Sequence, residues 1–343
     1  MTGSPRSKRL KVDNDGIPVG SRASPLAMWQ TNHVISLLQE KGDHTFRICD
    51  EKTYGDKVLN RSLVEIGTTN PGLFTKELEV GLLNKSTRFV VHSLKDMPTA
   101  LPEGLIIACI TERSTVEDCV VLHPKHHDIT SLDDLPAGSI VGTSSMRREA
   151  LMRQRYPHLE ARTIRGNVQT RVAKLCADDS VFSCIIMAKV GLQRCELEDK
   201  IGFTLDWPYC VSQGALGIEA RMDDKEICAM LAKIQHTPTS YRCLAERGLL
   251  NALEGGCQIA LGVRSSLTED MLALYCIVLS KDGQDSLECS IERSCKSQED
   301  AVEIGRLLAK DMREKGAERI VGRPGAKRPI TYGSAEHPNR PVD

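Results

Sequence analysis

Apolar residues at Leu26, Trp29, Val34, Ile35, Leu37 and Leu38 recur at helical spacing behind Ser24-Pro25, and Lys41-Gly42 closes the run. This predicts an amphipathic helix over Leu26–Gln39. Short apolar runs at Ile17–Ser21, Phe46–Cys49, Phe89–Val91 and Leu105–Ile110 read as strands, with a helix over Thr75–Leu83 among them. Strands alternating with helices imply a mainly parallel α/β sheet. The pattern restarts after Thr111-Glu112-Arg113. Strands are predicted over Ser139–Gly142 and Glu160–Ile164, and helices over Met146–Arg155, stopped by Pro157, and Val168–Cys176. Phe182–Met187 is apolar throughout, the pattern of a strand buried on both faces.

This second α/β unit ends near Cys210, and Gln213-Gly214-Ala215-Leu216-Gly217 begins a segment expected to return to the first. Two chain crossings then form a hinge. From Thr237 the character changes. A helix over Tyr241–Leu253 is followed by strands over Ile259–Val263 and Leu272–Leu279, a hairpin at Lys281-Asp282-Gly283 and a helix over Gln298–Met312. The expected organisation is a flexible leader (1–16), an α/β domain (17–112 with 212–236), a second α/β domain (113–211), a small α+β domain (237–321) and a disordered tail (322–343) rich in Pro, Gly and Arg.

Hydrophobic residues at 41% and charged residues at 27% fit a soluble globular chain. The formal net charge of −1 gives no global field to draw nucleic acid or an anionic membrane, so any basic site is local. The 13 cysteines form no CxxC pairs in a chain too long to need disulfide staples, which fits reduced thiols in the cytoplasm. No apolar stretch approaches the roughly 20 residues that span a bilayer. The leader lacks an apolar core, and Pro5–Lys11 reads as a solvated basic run rather than an address. No metal is expected: His123, His126 and His127 sit in what reads as a surface loop.

Candidate chemistry gathers where strands end. In Gly142-Thr143-Ser144-Ser145-Met146-Arg147-Arg148, hydroxyls can cap the helix while its free N–H groups point at an anion. Arginine at a helix N-terminus opposes the dipole and invites an anionic partner. Ile164-Arg165-Gly166-Asn167-Val168-Gln169-Thr170-Arg171 repeats the device, with Asn167 as cap, and Gly20-Ser21-Arg22-Ala23-Ser24 is a similar turn in the first unit. These arginines are expected to bind carboxylates of a ligand rather than hold their lobe together. Val91-His92-Ser93-Leu94-Lys95-Asp96-Met97-Pro98 carries a strand into an adjacent Lys95 and Asp96, which suits either a loop ion pair or an ionised carboxylate that stabilises a cation. Cys257, after Gly255-Gly256, is a thiol presented on loop backbone.

With Val19-Gly20-Ser21-Arg22, Leu73-Phe74-Thr75-Lys76-Glu77-Leu78, the segments around Asp96, Arg147 and Arg165 quoted above, and Leu253-Glu254-Gly255-Gly256-Cys257 in this order, the chain from about Ile17 to Val321 resembles the porphobilinogen deaminases, or hydroxymethylbilane synthases. The resemblance implies two α/β domains like those of periplasmic binding proteins, plus a small C-terminal α+β domain. It implies a monomeric transferase of tetrapyrrole (haem) biosynthesis that joins four porphobilinogen molecules head to tail with loss of ammonia. A dipyrromethane cofactor, held by a thioether to Cys257, primes the chain. Asp96 matches the carboxylate that stabilises the azafulvene cation left when ammonia departs. Arg22, Ser24, Lys95, Ser144, Ser145, Arg147, Arg148, Arg165, Arg171 and Gln213 match positions that hold cofactor and substrate, whose acetate and propionate groups give the basic turns a purpose.

Two departures from the family pattern stand out. Ser212 occupies a position where the family has glycine, and Ala260 one where it has proline. Ser212 is expected to stiffen the hinge if φ there is positive. The competing reading is a non-catalytic two-lobed anion-binding protein, which has no use for both Asp96 and a glycine-presented Cys257.

Overall fold

The computed structural model describes residues 16–51, 75–253 and 259–321. The expected leader apart from Gly16, the expected tail and Cys257 lie outside these residues. The first elements are β1 (Ile17–Arg22), α1 (Pro25–Gln39), β2 (Phe46–Glu51), α2 (Lys76–Leu83), β3 (Phe89–Ser93) and β4 (Leu105–Ile110). There follow β5 (Asp118–Leu122), β6 (Ile140–Gly142), α3 (Met146–Arg155), β7 (Glu160–Arg162), α4 (Val168–Leu175), β8 (Cys184–Ala188), α5 (Lys189–Gln193) and β9 (Phe203–Leu205). The chain continues through β10 (Leu216–Arg221), α6 (Lys225–Ala232), α7 (Thr237–Ala252), β11 (Ala260–Thr268), β12 (Met271–Leu279), β13 (Ser286–Ser294), α8 (Gln298–Glu314) and α9 (Ala317–Val321).

Two sheets share one topology, β2-β1-β3-β10-β4 and β7-β6-β8-β5-β9. β1 runs parallel to β2 and β3, while β10 is antiparallel to β3 and β4. Likewise β6 is parallel to β7 and β8, while β5 is antiparallel to β8 and β9. In each sheet the one reversed strand is the strand entered by a crossing from the other lobe. Each sheet is thus mixed, with four strands running one way and the reversed strand making two of the four pairings antiparallel, and the carboxyl ends of β1, β3 and β6 carry the Ser/Arg and Lys-Asp turns, at the edge where open α/β sheets take ligands.

Local sequence explains most boundaries. Pro25 occupies the first turn of α1, where its missing N–H costs nothing, and the Ser24 hydroxyl caps the helix by accepting from the Ala27 N–H at 3.3 Å. Every residue of β8 is buried, because helices cover both faces of its sheet. The short apolar run of β5 has no alternation and was not anticipated, nor were β9, β13, α5 and α6. His123 is buried, not part of a surface loop, and its Nδ1 accepts from the Lys125 N–H at 3.1 Å to cap a 3-10 turn.

The C-terminal sheet is a meander, β11-β12-β13, whose Leu272, Leu274, Cys276 and Val278 face α7 and α8. Its other face meets the second lobe, where Ala260, Ile277 and Leu279 join Ala150, Leu151 and Met152 of α3 in one apolar cluster. Burying each large aliphatic side chain there contributes about 1.5 to 3 kcal/mol.

Candidate active site

In the first lobe β3 ends at Ser93 and residues Leu94–Asp96 form a single 3-10 turn, closed by the Met97 N–H donating to the Leu94 carbonyl at 3.2 Å. Leu94 and Met97 are buried, so Lys95 and Asp96 between them are turned outward, Asp96 exposed and Lys95 half-buried. Gly217 of β10 lets the turn sit down on the sheet: a Cβ there would lie 2.7 Å from Leu94 Cδ1 and 3.0 Å from Met97 Sδ. The Gln30 amide of α1 donates to the Ser93 hydroxyl at 2.7 Å, tying the turn that carries Arg22 and Ser24 to this one.

In the second lobe the Ser145 hydroxyl caps α3 by accepting from the Arg148 N–H at 3.5 Å, and the Ser144 hydroxyl donates to the Ile164 carbonyl at 2.5 Å. Asn167 caps α4 by accepting from the Thr170 N–H at 2.8 Å. Arg171 Nε donates to the Gly166 carbonyl at 2.9 Å, curling this side chain back over its own turn. The carbonyl of Arg165 accepts from Lys174 Nζ at 3.0 Å.

Arg147 and Arg148 depart from expectation. Both are buried, and both donate to Asp118 at the head of β5, at 2.8 Å each. Arg147 also reaches the Pro208 carbonyl at 2.7 Å and Arg148 the Ile186 carbonyl at 3.1 Å. Gln213 completes the shell, donating to Asp118 at 2.9 Å and to the Val116 carbonyl at 2.7 Å. Arg147 and Arg148 therefore do hold their lobe together, because a buried carboxylate requires their charges. Burial alone would raise the Asp118 carboxyl, but the two guanidinium groups hold it well below the usual carboxylate range.

The two lobes are electrostatically joined. Burial lowers the pKa of the Lys95 ammonium, Asp96 opposes that shift, and Arg148 of the second lobe reinforces it. Arg171 is brought down to about 10 by burial, with Arg148 and Arg165 adding to the effect and Asp96 of the first lobe opposing it. Arg165 is lowered by burial as well. Lys95, Arg147, Arg148, Arg165 and Arg171 thus share a neighbourhood in which Asp96 and Asp118 are opposing carboxylates. Arg147 Nε and Arg148 Nε are buried without a hydrogen-bond partner. A cluster of desolvated cations with unspent donors fits a ligand bearing several carboxylates.

The crossings between lobes lie directly behind this cluster. Arg113 Nε donates to the Gln213 carbonyl at 2.7 Å, and the Ser114 N–H to the Gly214 carbonyl at 3.2 Å. Gly214 has φ +90°, and a Cβ there would meet the Thr115 carbonyl oxygen at 2.6 Å. Ser212 adopts φ 62°, so the left-handed conformation is occupied by a residue with a side chain. Its N–H donates to Glu246 of α7 at 2.7 Å, and Glu246 also accepts from both terminal nitrogens of Arg113, at 2.7 and 3.0 Å. Sequence reasoning missed Asp118, Arg113 and Glu246. The one signal for Asp118 was an acidic residue opening the run Cys119–Leu122.

The profile described as "Porphobilinogen deaminase, dipyromethane cofactor binding domain" matches residues 17–229, and that of the "Porphobilinogen deaminase, C-terminal domain" matches residues 240–314. A porphobilinogen deaminase of Nostoc sp. is 45% identical over 309 residues, covering 89% of this chain and 93% of its own. One of Schizosaccharomyces pombe is 42% identical over 314 residues, covering 89% and 93%. Among solved structures, the periplasmic VFT2 domain of BvgS from Bordetella pertussis overlaps with a TM-score of 0.38 at 13% identity, covering 63% of this chain and 86% of that one. The aliphatic sulphonate binding protein SsuA of Escherichia coli overlaps with a TM-score of 0.36 at 10% identity, covering 70% and 71%.

Proposed function

The chain belongs to the porphobilinogen deaminase family of transferases, which carry a dipyrromethane cofactor, and from that premise we propose which of its residues carry the reaction. The cofactor, bound through Cys257, supplies the pyrrole end on which the product grows. Asp96 stabilises positive charge on the substrate's pyrrole as ammonia departs and holds its ring N–H. Lys95, Arg165 and Arg171 bind acetate and propionate groups, with Arg22, Ser24, Ser144 and Ser145 lining the same edge. Arg147 and Arg148 contribute their charge while anchored on Asp118, and Gln213, whose two amide donors are spent on Asp118 and the Val116 carbonyl, holds that anchor in place. The observation that carries this reading is the position of Asp96: it is exposed at the tip of a turn seated on the sheet, within electrostatic reach of Arg171 in the other lobe.

The same reading divides the chain into 17–112 with 212–236, 113–211 and 237–321. It takes porphobilinogen as substrate in a monomeric cytoplasmic enzyme without nucleic-acid partners. No described helix is long and apolar enough to cross a membrane. The test is Asp96→Asn in cofactor-loaded protein. Asparagine keeps size and a hydrogen-bond acceptor but removes charge, so turnover should fall by roughly two powers of ten or more while porphobilinogen binding persists. Near-normal turnover would remove Asp96 from the chemistry.

A further inference from the structure

Asp96 is presented by a turn that is anchored at its start, where the Leu94 N–H donates to the Ala215 carbonyl at 3.0 Å, and held less at its end. One backbone hydrogen bond closes the turn, and such short 3-10 segments have poor bond geometry of their own. The Leu94 carbonyl already accepts from the Met97 N–H, whereas those of Met97 and Pro98, at the end of the turn, take no backbone donor among the described residues. One side chain serves them. Arg247 of α7, itself buried, donates through Nη1 to the carbonyls of Leu94 at 3.5 Å and Met97 at 3.3 Å, and through Nη2 to that of Pro98 at 2.5 Å. These three carbonyls bracket Lys95 and Asp96 on both sides. Cys243, one turn earlier on the same helix, packs with Leu94 and Met97 in an apolar cluster.

We infer that Arg247 is a positioning residue for the reaction: by gripping the carbonyls on either side of Asp96, it fixes the direction in which that carboxylate is presented. The inference rests on the assignment of Asp96 as the charge-stabilising group. The grip also has a second end. α7 stops at Ala252 and the chain then runs through Leu253 to Cys257, so the helix that holds the Asp96 turn is the one that leads to the cofactor thiol. A planar guanidinium fork can serve three carbonyls at once, which a lysine ammonium at the end of a flexible stem does not reproduce. A plain strut between domains would also be buried and hydrogen-bonded, but its loss would act on stability and not specifically through Asp96.

The two roles separate in a double-mutant cycle on cofactor-loaded enzyme with Arg247→Met, Asp96→Asn and the pair. Arg247→Met should lower kcat by roughly 10- to 100-fold, as misplacement by about 1 Å does, and leave KM within about threefold. In the Asp96→Asn background the same change should lower kcat by less than about twofold, because the group it positions is gone. Arg247→Lys should fall between wild type and Met, and it replaces Met in the cycle if Arg247→Met does not load cofactor. The second readout is amide hydrogen exchange in the peptide covering residues 94–98, in loaded and unloaded protein. Exchange at Met97 should quicken by about tenfold or more in Arg247→Met while the strands of both lobes stay protected. Unchanged exchange overturns the grip whatever the kinetics, and multiplicative losses of kcat overturn its action through Asp96. Quickened exchange beside a fully active Asp96→Asn overturns the reading of Asp96 and leaves the grip standing.

Discussion

Asp118→Asn should cost the unloaded protein about 3 to 5 kcal/mol, the range for breaking a buried ion pair by removing one partner. The carboxylate accepts from Arg147, Arg148 and Gln213. Asparagine fills the same space and its oxygen can still accept from Arg148 and Gln213. Its amide, however, would face the Arg147 donor, and two buried guanidinium groups would share no counter-charge. Each charge-assisted bond contributes about 1.5 to 3 kcal/mol, a share already contained in the larger figure and not added to it. The pH dependence has a definite sign. Arg147 and Arg148 hold the folded carboxyl below its unfolded value despite its burial. The stability it contributes is therefore complete above about pH 4, the unfolded value, and lost as pH falls towards the folded one. Denaturant unfolding followed by the fluorescence of Trp207, buried beside the second lobe's core, measures both effects. The wild-type advantage should be constant from about pH 5 to about pH 8 and shrink below about pH 4. An advantage under about 1 kcal/mol, or one that persists unchanged in acid, would refute the argument that Asp118 is the group these arginines need.

Arg171→Leu should behave in the opposite way from a change at Arg147. Burial already lowers its pKa to about 10, so removing the cation should leave thermal stability of the unloaded protein nearly unchanged. Loss of one charge-assisted contact, about 1.5 to 3 kcal/mol, should then appear as impaired cofactor loading or stalled elongation, visible in the masses of enzyme–intermediate complexes. Ser212→Gly should stabilise the hinge by up to about 1 kcal/mol, since φ at 62° disfavours any side chain while the N–H to Glu246 survives the change. A calorimetric loss in that variant would mean that the serine side chain contributes more than its backbone strain costs.

Much of the fold was legible because periodicity and caps agreed. Leu105–Ile110 and Met146–Arg155 occur with the boundaries the pattern dictates, and Asn167 and Ser145 cap as their positions suggest. β5 was illegible because a charged residue opens it and leaves only Cys119–Leu122 apolar, too short a run to stand out, and β9 because three residues carry no period at all. Within the site, the turns bearing Asp96, Arg147 and Arg165 stand out through hydroxyls, glycine and basic residues close together in sequence. Their partners do not. Asp118 lies 29 residues from Arg147, and Glu246 lies 133 from Arg113, so neither pairing leaves a local trace. That omission is why Arg147 and Arg148 read as free anion receptors, when their first partner is the protein itself.

The central claim, a covalent cofactor on Cys257 used by a site built around Asp96, is tested most directly by the intact mass of the denatured chain. A thioether survives unfolding, so protein produced in cells able to make porphobilinogen should weigh more than its sequence by one dipyrromethane. The Cys257→Ala protein should carry the bare mass and show no turnover. A wild-type chain with only the mass of its sequence, yet able to consume porphobilinogen, would contradict the account.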